Sequence, residues 1–352
     1  MTSHRILLTG ANGFIALHII RQLLSSPSNH SIRAVVRSLS KVSTIQSLFP
    51  HIPTSKLDFA IVPDITVPGA FDSALESPTP FDIVLHTASP FLMRAAKTAD
   101  DFIKPAVQGT TEILNAINRC APSVKRVVLT SSFAAVGAWG LYDDRNKVYT
   151  EADWNPVTSE IATGADDLMF QYFASKKFAE QAAWKIAEAQ GAKWDLVALC
   201  PPMVYGPMLG AVERVEDLNE SNEHIWKRFF AESTPESEMS DNMISLFVDV
   251  RDIAKAHVLA MDAAEAGNKR FLVNNGWATS QRIADIFRAE VPGAAERTPK
   301  GTPGADTLDK DWFKTDVSRA ERLLGMTYTP VKDTFVDLGM QLMEIEKKQK
   351  SL

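Results

Sequence analysis

Along the first 200 residues, short unbroken apolar runs alternate with longer stretches in which apolar residues return every three or four positions. The runs RILLTG, IRAVVRS, FAIVPDI, FDIVLHTAS, KRVVLTSS and WDLVALC read as strands. They lack a polar residue at every second place, which predicts burial on both faces of a parallel sheet. Between them, ALHIIRQLLSS, IKPAVQGTTEILNAINRCA and FQYFASKKFAEQAAWKIAEAQ have the spacing of amphipathic helices. Strand–helix alternation of this kind predicts an α/β fold, a doubly wound parallel sheet with helices on both faces. Ligands of such sheets bind beyond the carboxyl ends of the strands, so candidate chemistry is sought there.

After Gly206 the pattern changes. Residues 212–242 are acidic and polar, and read as a helix plus an exposed loop. ISLFVDVRDIAKAHVLAMDAA returns to strand then helix, with Asp249 or Asp252 as an N-cap or first-turn carboxylate. A loop-rich stretch follows, then SRAERLLG as a short helix closed by Gly325, and EKKQK as a solvated tail.

The 352 residues suffice for a large core. A net charge of -6 argues against a nucleic-acid partner, which calls for a basic face. No apolar stretch reaches the roughly 18 residues of a membrane span, so no membrane partner is expected. MTSHR runs straight into the first strand without a leader, which predicts a cytoplasmic protein. The two cysteines, Cys120 and Cys200, leave a disulfide open but form no framework and no CxxC metal site. Cys200, behind an apolar run, reads as a buried core thiol.

The first strand-to-helix turn is Thr9-Gly10-Ala11-Asn12-Gly13-Phe14-Ile15-Ala16. Gly10 and Gly13 let the chain turn tightly and approach a pyrophosphate, which the amides opening the helix at Phe14 and Ile15 would stabilise. Ala16 stands where a third glycine is expected, and alanine is tolerated because that position governs helix–strand packing. The context, strand before and helix after, favours a dinucleotide site over a ligand-free helix entry.

The end of the second strand selects the dinucleotide. An acid there would accept from ribose hydroxyls, but IRAVVRSLSK has none and offers Arg37 and Lys41 instead. A guanidinium grips a phosphate with two donors and an ammonium adds a point charge, so NADP(H) is expected as cofactor. The bland alternative is a solvated basic turn. Asp64-Ile65, at the end of the third strand, would reach the adenine; Thr87-Ala88-Ser89, at the end of the fourth, would let backbone lie along ribose and nicotinamide.

TSS at Thr130–Ser132 ends the next strand, and YFASK puts Tyr172 and Lys176 four residues apart on one helical face. A neighbouring ammonium is expected to lower the phenol's pKa and make it a usable proton donor. A serine hydroxyl at the same spot would polarise a carbonyl oxygen.

TGANGFI, Asp64-Ile65, HTASPF, TSSFAAV, YFASKKFAEQAAWK, CPPMVYGP and FVDVRDIAKAH together resemble the extended short-chain dehydrogenase/reductases. Within them the likeness is to the dihydroflavonol reductase and cinnamoyl-CoA reductase branch, especially yeast-type NADPH-dependent methylglyoxal and aldehyde/ketone reductases. The resemblance spans nearly the whole chain. It implies a Rossmann-type sheet with a smaller C-terminal substrate-binding lobe, an NADPH-dependent carbonyl reductase activity, and Ser132, Tyr172 and Lys176 as catalytic trio. It also implies that Pro201 and Val204 line the nicotinamide end. Many members carry an asparagine where Ala106 stands, so no fourth catalytic residue transfers from that motif.

The expected organisation is a dinucleotide-binding domain over residues 1–205, with 245–265 packing back on it, and a substrate lobe mainly over 206–352. Phe91, Phe133, Trp139, Met208 and Trp226 are candidates for an apolar pocket, which leans toward an aldehyde or ketone with a hydrophobic or aromatic group. The seven histidines show no metal spacing, and no metal is expected. His86 reads as a packing or hydrogen-bonding residue. A nucleotide-sugar epimerase or dehydratase and a non-catalytic NADP-sensing regulator are the competing functions; the intact tyrosine–lysine pair argues against the regulator. Oligomeric state is left at monomer or homodimer.

Overall fold

The computed structural model describes residues 3–89, 98–137, 144–164, 168–189, 191–210, 212–241, 246–305 and 307–351. In chain order the strands are β1 (Arg5–Thr9), β2 (Ser31–Val36), β3 (Leu57–Ile61), β4 (Ile83–His86), β5 (Arg126–Thr130), β6 (Val148–Tyr149), β7 (Asp195–Cys200), β8 (Met203–Tyr205), β9 (Phe247–Asp249), β10 (Lys269–Leu272) and β11 (Lys314–Thr315). The α-helices are α1 (Phe14–Ser25), α2 (Leu39–Leu48), α3 (Asp72–Leu75), α4 (Ala99–Cys120), α5 (Ser159–Gly164) and α6 (Leu168–Ala187). They continue with α7 (Glu220–Trp226), α8 (Val250–Asp262), α9 (Ser280–Glu290), α10 (Ser318–Leu324) and α11 (Val331–Gln349).

Seven strands form one parallel sheet in the order β10-β7-β5-β4-β1-β2-β3. The chain grows outward from β1 in one direction, then reverses from β1 to β4, which opens a crevice at the carboxyl ends of those two strands. Successive residues of β1 point to opposite faces. Ile6 and Leu8 join a core with Ile19 and Ile20 of α1, Ile253 of α8 and Leu324 of α10. Leu7 joins the other core, with Ile113 and Ile117 of α4 and Ala183 of α6. The doubly wound parallel architecture is therefore the one the apolar runs predicted.

Three local differences have physical causes. β3 stops at Ile61, so Asp64 and Ile65 lie in the loop beyond it. Residues 212–241 are less exposed than their acidity suggests: Leu218, Ile225, Trp226, Phe229 and Phe230 are buried with Phe287 of α9 and Phe335 of α11. The apolar residues there are scattered among acids, and only the partners from α9 and α11 make them a core. EKKQK belongs to the end of α11, where Glu346 is held by Arg297.

The expected lobe also returns a strand to the sheet, since β10 pairs with β7. Asp249 caps α8 by accepting from Arg251 N at 2.7 Å, and Gly325 closes α10 with a left-handed φ of 67°. β8 and β9 pair in parallel beside the main sheet, and Ser221 of α7 donates to the Val204 carbonyl of β8.

Candidate active site

The turn after β1 carries the first constraint. Gly10 has φ +63°, and a Cβ on it would lie 2.8 Å from Ala88 Cα, closer than side chains tolerate. Thr9 fixes this approach: its carbonyl accepts from Thr87 Oγ1 at 2.7 Å and its Oγ1 accepts from Ala88 N at 3.2 Å. Gly13 opens α1 with no side-chain cap and no acid in the first turn. The amides at that end stay available to an anion.

A cleft of about 610 Å³ runs from this turn across the sheet edge, and Gly10, Gly13, Arg37, Asp64, Ile65, Thr87, Ala88 and Ser89 all line it. Lys41, in the first turn of α2, is not among the lining residues, and Phe14 and Ile15 pack inward while opening α1. Thr9, Asn12, Val35, Val36, Val62, Pro63, Thr66 and Pro105 complete the lining and were not among the expected contact residues. Asp64 accepts from Thr66 Oγ1 at 2.7 Å and Thr66 N at 2.8 Å, bonds that hold its carboxyl below the usual range and keep it an acceptor. An anion cradle at α1 and an exposed guanidinium after β2 fit a dinucleotide bearing an additional phosphate.

At the other end the three hydroxyls of Thr130-Ser131-Ser132 part company. Thr130 Oγ1 is 2.7 Å from His257 Nε2, whose Nδ1 faces the Ile253 carbonyl at 2.7 Å. Ser131 Oγ donates to Glu180 at 2.5 Å. Ser132 Oγ accepts from Ala134 N at 3.1 Å, capping a short 3-10 turn, and is hydrogen-bonded to the Tyr172 phenol. Backbone pins this strand exit to β7, with Ser131 N donating to Leu199 O and Phe133 N to Pro201 O, each at 2.8 Å.

Lys176 Nζ lies 5.6 Å from the Tyr172 ring centroid and donates to Ser89 Oγ at 2.9 Å. Ser132, Tyr172 and Lys176 thus meet where β4, β5 and β7 end. The expected lowering of the phenol's pKa is not found. Burial pushes Tyr172 up to about 12 against the opposing Ser132 bond, and the charge of Glu220 adds to the rise. Burial also pushes Lys176 down to about 8. Desolvation outweighs the pairing of the two groups, and the phenol stays protonated near neutral pH. Glu220, which opens α7, had no distinguishing signal in the sequence.

Burial holds His86 near 4, with Lys176 adding to the effect, and its Nδ1 lies 2.8 Å from Thr9 Oγ1. It is a buried hydrogen-bonding residue. Cys200 is buried and Cys120 exposed, both free thiols.

Three of the apolar pocket candidates are core side chains. Phe133 is 0 % exposed, stacked on Phe313 at 5.7 Å and edge-on to Tyr149 at 5.4 Å. Trp226 stacks on Phe230 at 6.0 Å beneath the Arg297 guanidinium, and Met208 is buried in the same cluster. Aromatic residues beside a site are drawn first to one another. Phe91 and Trp139 lie outside the described residues. Pro201 is buried and Val204 partly buried, the latter's carbonyl accepting from Ser221 Oγ at 2.5 Å.

The model of the NAD dependent epimerase/dehydratase family matches residues 6–276. An NADPH-dependent methylglyoxal reductase of Saccharomyces cerevisiae is 34% identical, covering 97% of this chain and 98% of that protein. A ketoreductase of Aspergillus niger is 34% identical over 97% of this chain and 98% of its own. Among solved structures, yeast methylglyoxal/isovaleraldehyde reductase complexed with NADPH superposes with a TM-score of 0.89 at 33% identity, covering 98% of this chain and 99% of that one.

Proposed function

We propose, on the premise that the chain belongs to the NAD dependent epimerase/dehydratase family, that it is an NADPH-dependent reductase turning an aldehyde or ketone into an alcohol. The observation that carries this reading is the placement of the Tyr172 phenol next to Ser132 and beside an ammonium that Ser89 ties to the cleft wall. The curated names of relatives at 34% identity, a methylglyoxal reductase and a ketoreductase, support the same chemistry.

Bound in the cleft, NADPH would supply the hydride for the carbonyl carbon. The remaining work belongs to the protein. The α1 amides behind Gly13 would hold the pyrophosphate, Arg37 in the cleft lining would hold the extra phosphate, with Lys41 outside the lining adding its charge nearby, and Asp64 would accept from the adenine amine. Lys176 and Ser89 bind the ribose next to the nicotinamide, and Pro201 and Val204 flank the ring. Ser132 donates to the carbonyl oxygen and fixes its direction. Tyr172 gives its proton to the developing alkoxide, and the nearby ammonium steadies the phenolate left behind.

Residues 1–205, with 245–265 packing back on them, hold the nucleotide in this reading, and 206–352 mainly shape the carbonyl pocket. The substrate is a small carbonyl compound, and with Phe133, Met208 and Trp226 packed in cores its side group is left to the assay. The test is NADPH and NADH oxidation by the wild-type protein against aldehydes, α-dicarbonyls, β-ketoesters and aryl ketones. Carbonyl-dependent loss of NADPH matched by alcohol is expected, with NADH weaker. No carbonyl-dependent oxidation across the panel contradicts the proposal.

A further inference from the structure

We propose that Glu180 is a positioning residue for this reduction: its buried carboxylate holds the Ser131–Ser132 turn against the helix that carries Tyr172 and Lys176. The inference rests on the carbonyl-reductase reading.

Tyr172, Lys176 and Glu180 are spaced four apart, so they share one face of α6. Glu180 is 1 % exposed. One carboxylate oxygen accepts from Ser131 Oγ at 2.5 Å and lies 3.7 Å from Cys200 Sγ. The other accepts from Trp184 Nε1 at 3.0 Å and from Arg270 Nε at 2.6 Å. Two of these partners, and Glu180 itself, adjoin a piece of the site. Ser131 precedes Ser132, Cys200 precedes Pro201, and Glu180 follows Lys176 by one helical turn. The ends of β5 and β7 and the face of α6 therefore converge on a single carboxylate. Glu180, Ser131 and Lys176 also border one internal void of about 20 Å³, which places the carboxylate beside the reacting end.

Arg270 balances the charge and extends the grip. Its guanidinium donates to the carbonyls of Glu151 at 2.9 Å and Asp153 at 2.6 Å, and lies 3.8 Å over the Trp154 ring. Asn155 then donates to Ala134 O at 2.7 Å and Gly137 O at 3.2 Å, closing the turn that Ser132 caps. Ser132 is thus held from before and behind. A buried ion pair contributes little net stability compared with apolar packing, so stability alone does not account for it. A saturated buried network does fix geometry. Geometry matters here because a misplacement of about 1 Å can cost on the order of a hundredfold in rate.

Ser131→Ala removes one bond and leaves the Glu180–Arg270 pair intact, so it is the gentler variant; Glu180→Gln is the stronger one. Each is compared with wild type, and each is combined with Ser132→Ala. Single-turnover rate, KM for the carbonyl, NADPH affinity by fluorescence, and Tm are measured. The expected result for Ser131→Ala is a rate lower by roughly ten- to a hundredfold, with NADPH affinity unchanged. The double variant Ser131→Ala/Ser132→Ala should be no slower than Ser132→Ala alone, because the effect runs through Ser132. A Ser131→Ala rate equal to wild type overturns the role, as does a loss that multiplies with that of Ser132→Ala. If Glu180→Gln does not fold, Ser131→Ala decides. An active wild type with an unimpaired Ser131→Ala overturns the positioning role only; an inactive wild type overturns the reductase reading and this role with it.

Discussion

Lys176 donates to Ser89 of the cleft wall at 2.9 Å, while the phenol on its own helix has a raised pKa near 12. The two groups of the YxxxK pair therefore divide the labour. In the proposed reaction the ammonium serves the sugar side of the cleft, and the phenol is the proton donor. An ammonium tuned to about 8 is charged at neutral pH and neutral above it.

This sets a pH dependence for reduction. As pH rises through about 8, Lys176 loses the charge that orients the ribose and steadies the phenolate, so kcat/KM for the carbonyl should fall on an alkaline limb near that value. Lys176→Arg keeps its charge throughout, so the limb should vanish even where the absolute rate is lower. A limb unchanged in that variant assigns it to another group.

Arg37 is the exposed guanidinium of the cleft lining. Charge-assisted hydrogen bonds contribute about 1.5–3 kcal/mol, so Arg37→Ala should weaken NADPH binding by roughly ten- to a hundredfold. NADH binding should stay the same, because the lost partner is the extra phosphate. Fluorescence titration with both nucleotides separates this from general damage, which would weaken both.

Gly10→Ala meets backbone rather than a movable side chain, 2.8 Å from Ala88 Cα, and in a left-handed conformation. The conformation alone costs roughly 1–2 kcal/mol. A lower Tm and an NADPH affinity reduced by more than the Arg37→Ala loss are expected. Gly276, also at positive φ but with open space around its Cβ direction, is the control: alanine there should spare NADPH binding.

Three buried histidines should contribute to a loss of stability in acid. Burial is the first cause that holds His18, His86 and His257 near 4 in the folded chain. Between about pH 6.5 and 4 the unfolded chain binds protons that the folded chain does not, so stability is present above this window and lost as pH falls through it. The loss is at most about 1.4 kcal/mol per pH unit for each histidine. Tm measured from pH 7 to 4.5 should fall steadily. His257→Asn, whose amide can still meet Thr130, should flatten the slope.

Much of this architecture was legible in the apolar runs, because parallel strands buried on both faces leave unbroken Val, Ile and Leu. β10 escaped notice: four residues beginning Lys269-Arg270 form an edge strand whose identity depends on pairing with β7. The lobe was harder for the same reason. The adjacent Phe229 and Phe230 form one core with Phe287 and Phe335, which lie far from them in sequence. At the site, glycine turns and the YxxxK spacing are local, and they were readable. The direction of the Tyr172 shift was not, since it depends on burial, and spacing alone conveys only the proximity of the ammonium. The Tyr172–Lys176–Glu180 spacing was in plain view, yet its third member acquires meaning only once Ser131 and Arg270 are seen to converge on it.

The most direct test replaces the phenolic oxygen alone. Tyr172→Phe keeps the ring and its packing but has no proton to give. With NADPH and an aldehyde accepted by the wild type, the rate should fall by at least about a hundredfold, while NADPH affinity by fluorescence titration stays at the wild-type value. A variant that reduces the aldehyde at the wild-type rate would contradict the account.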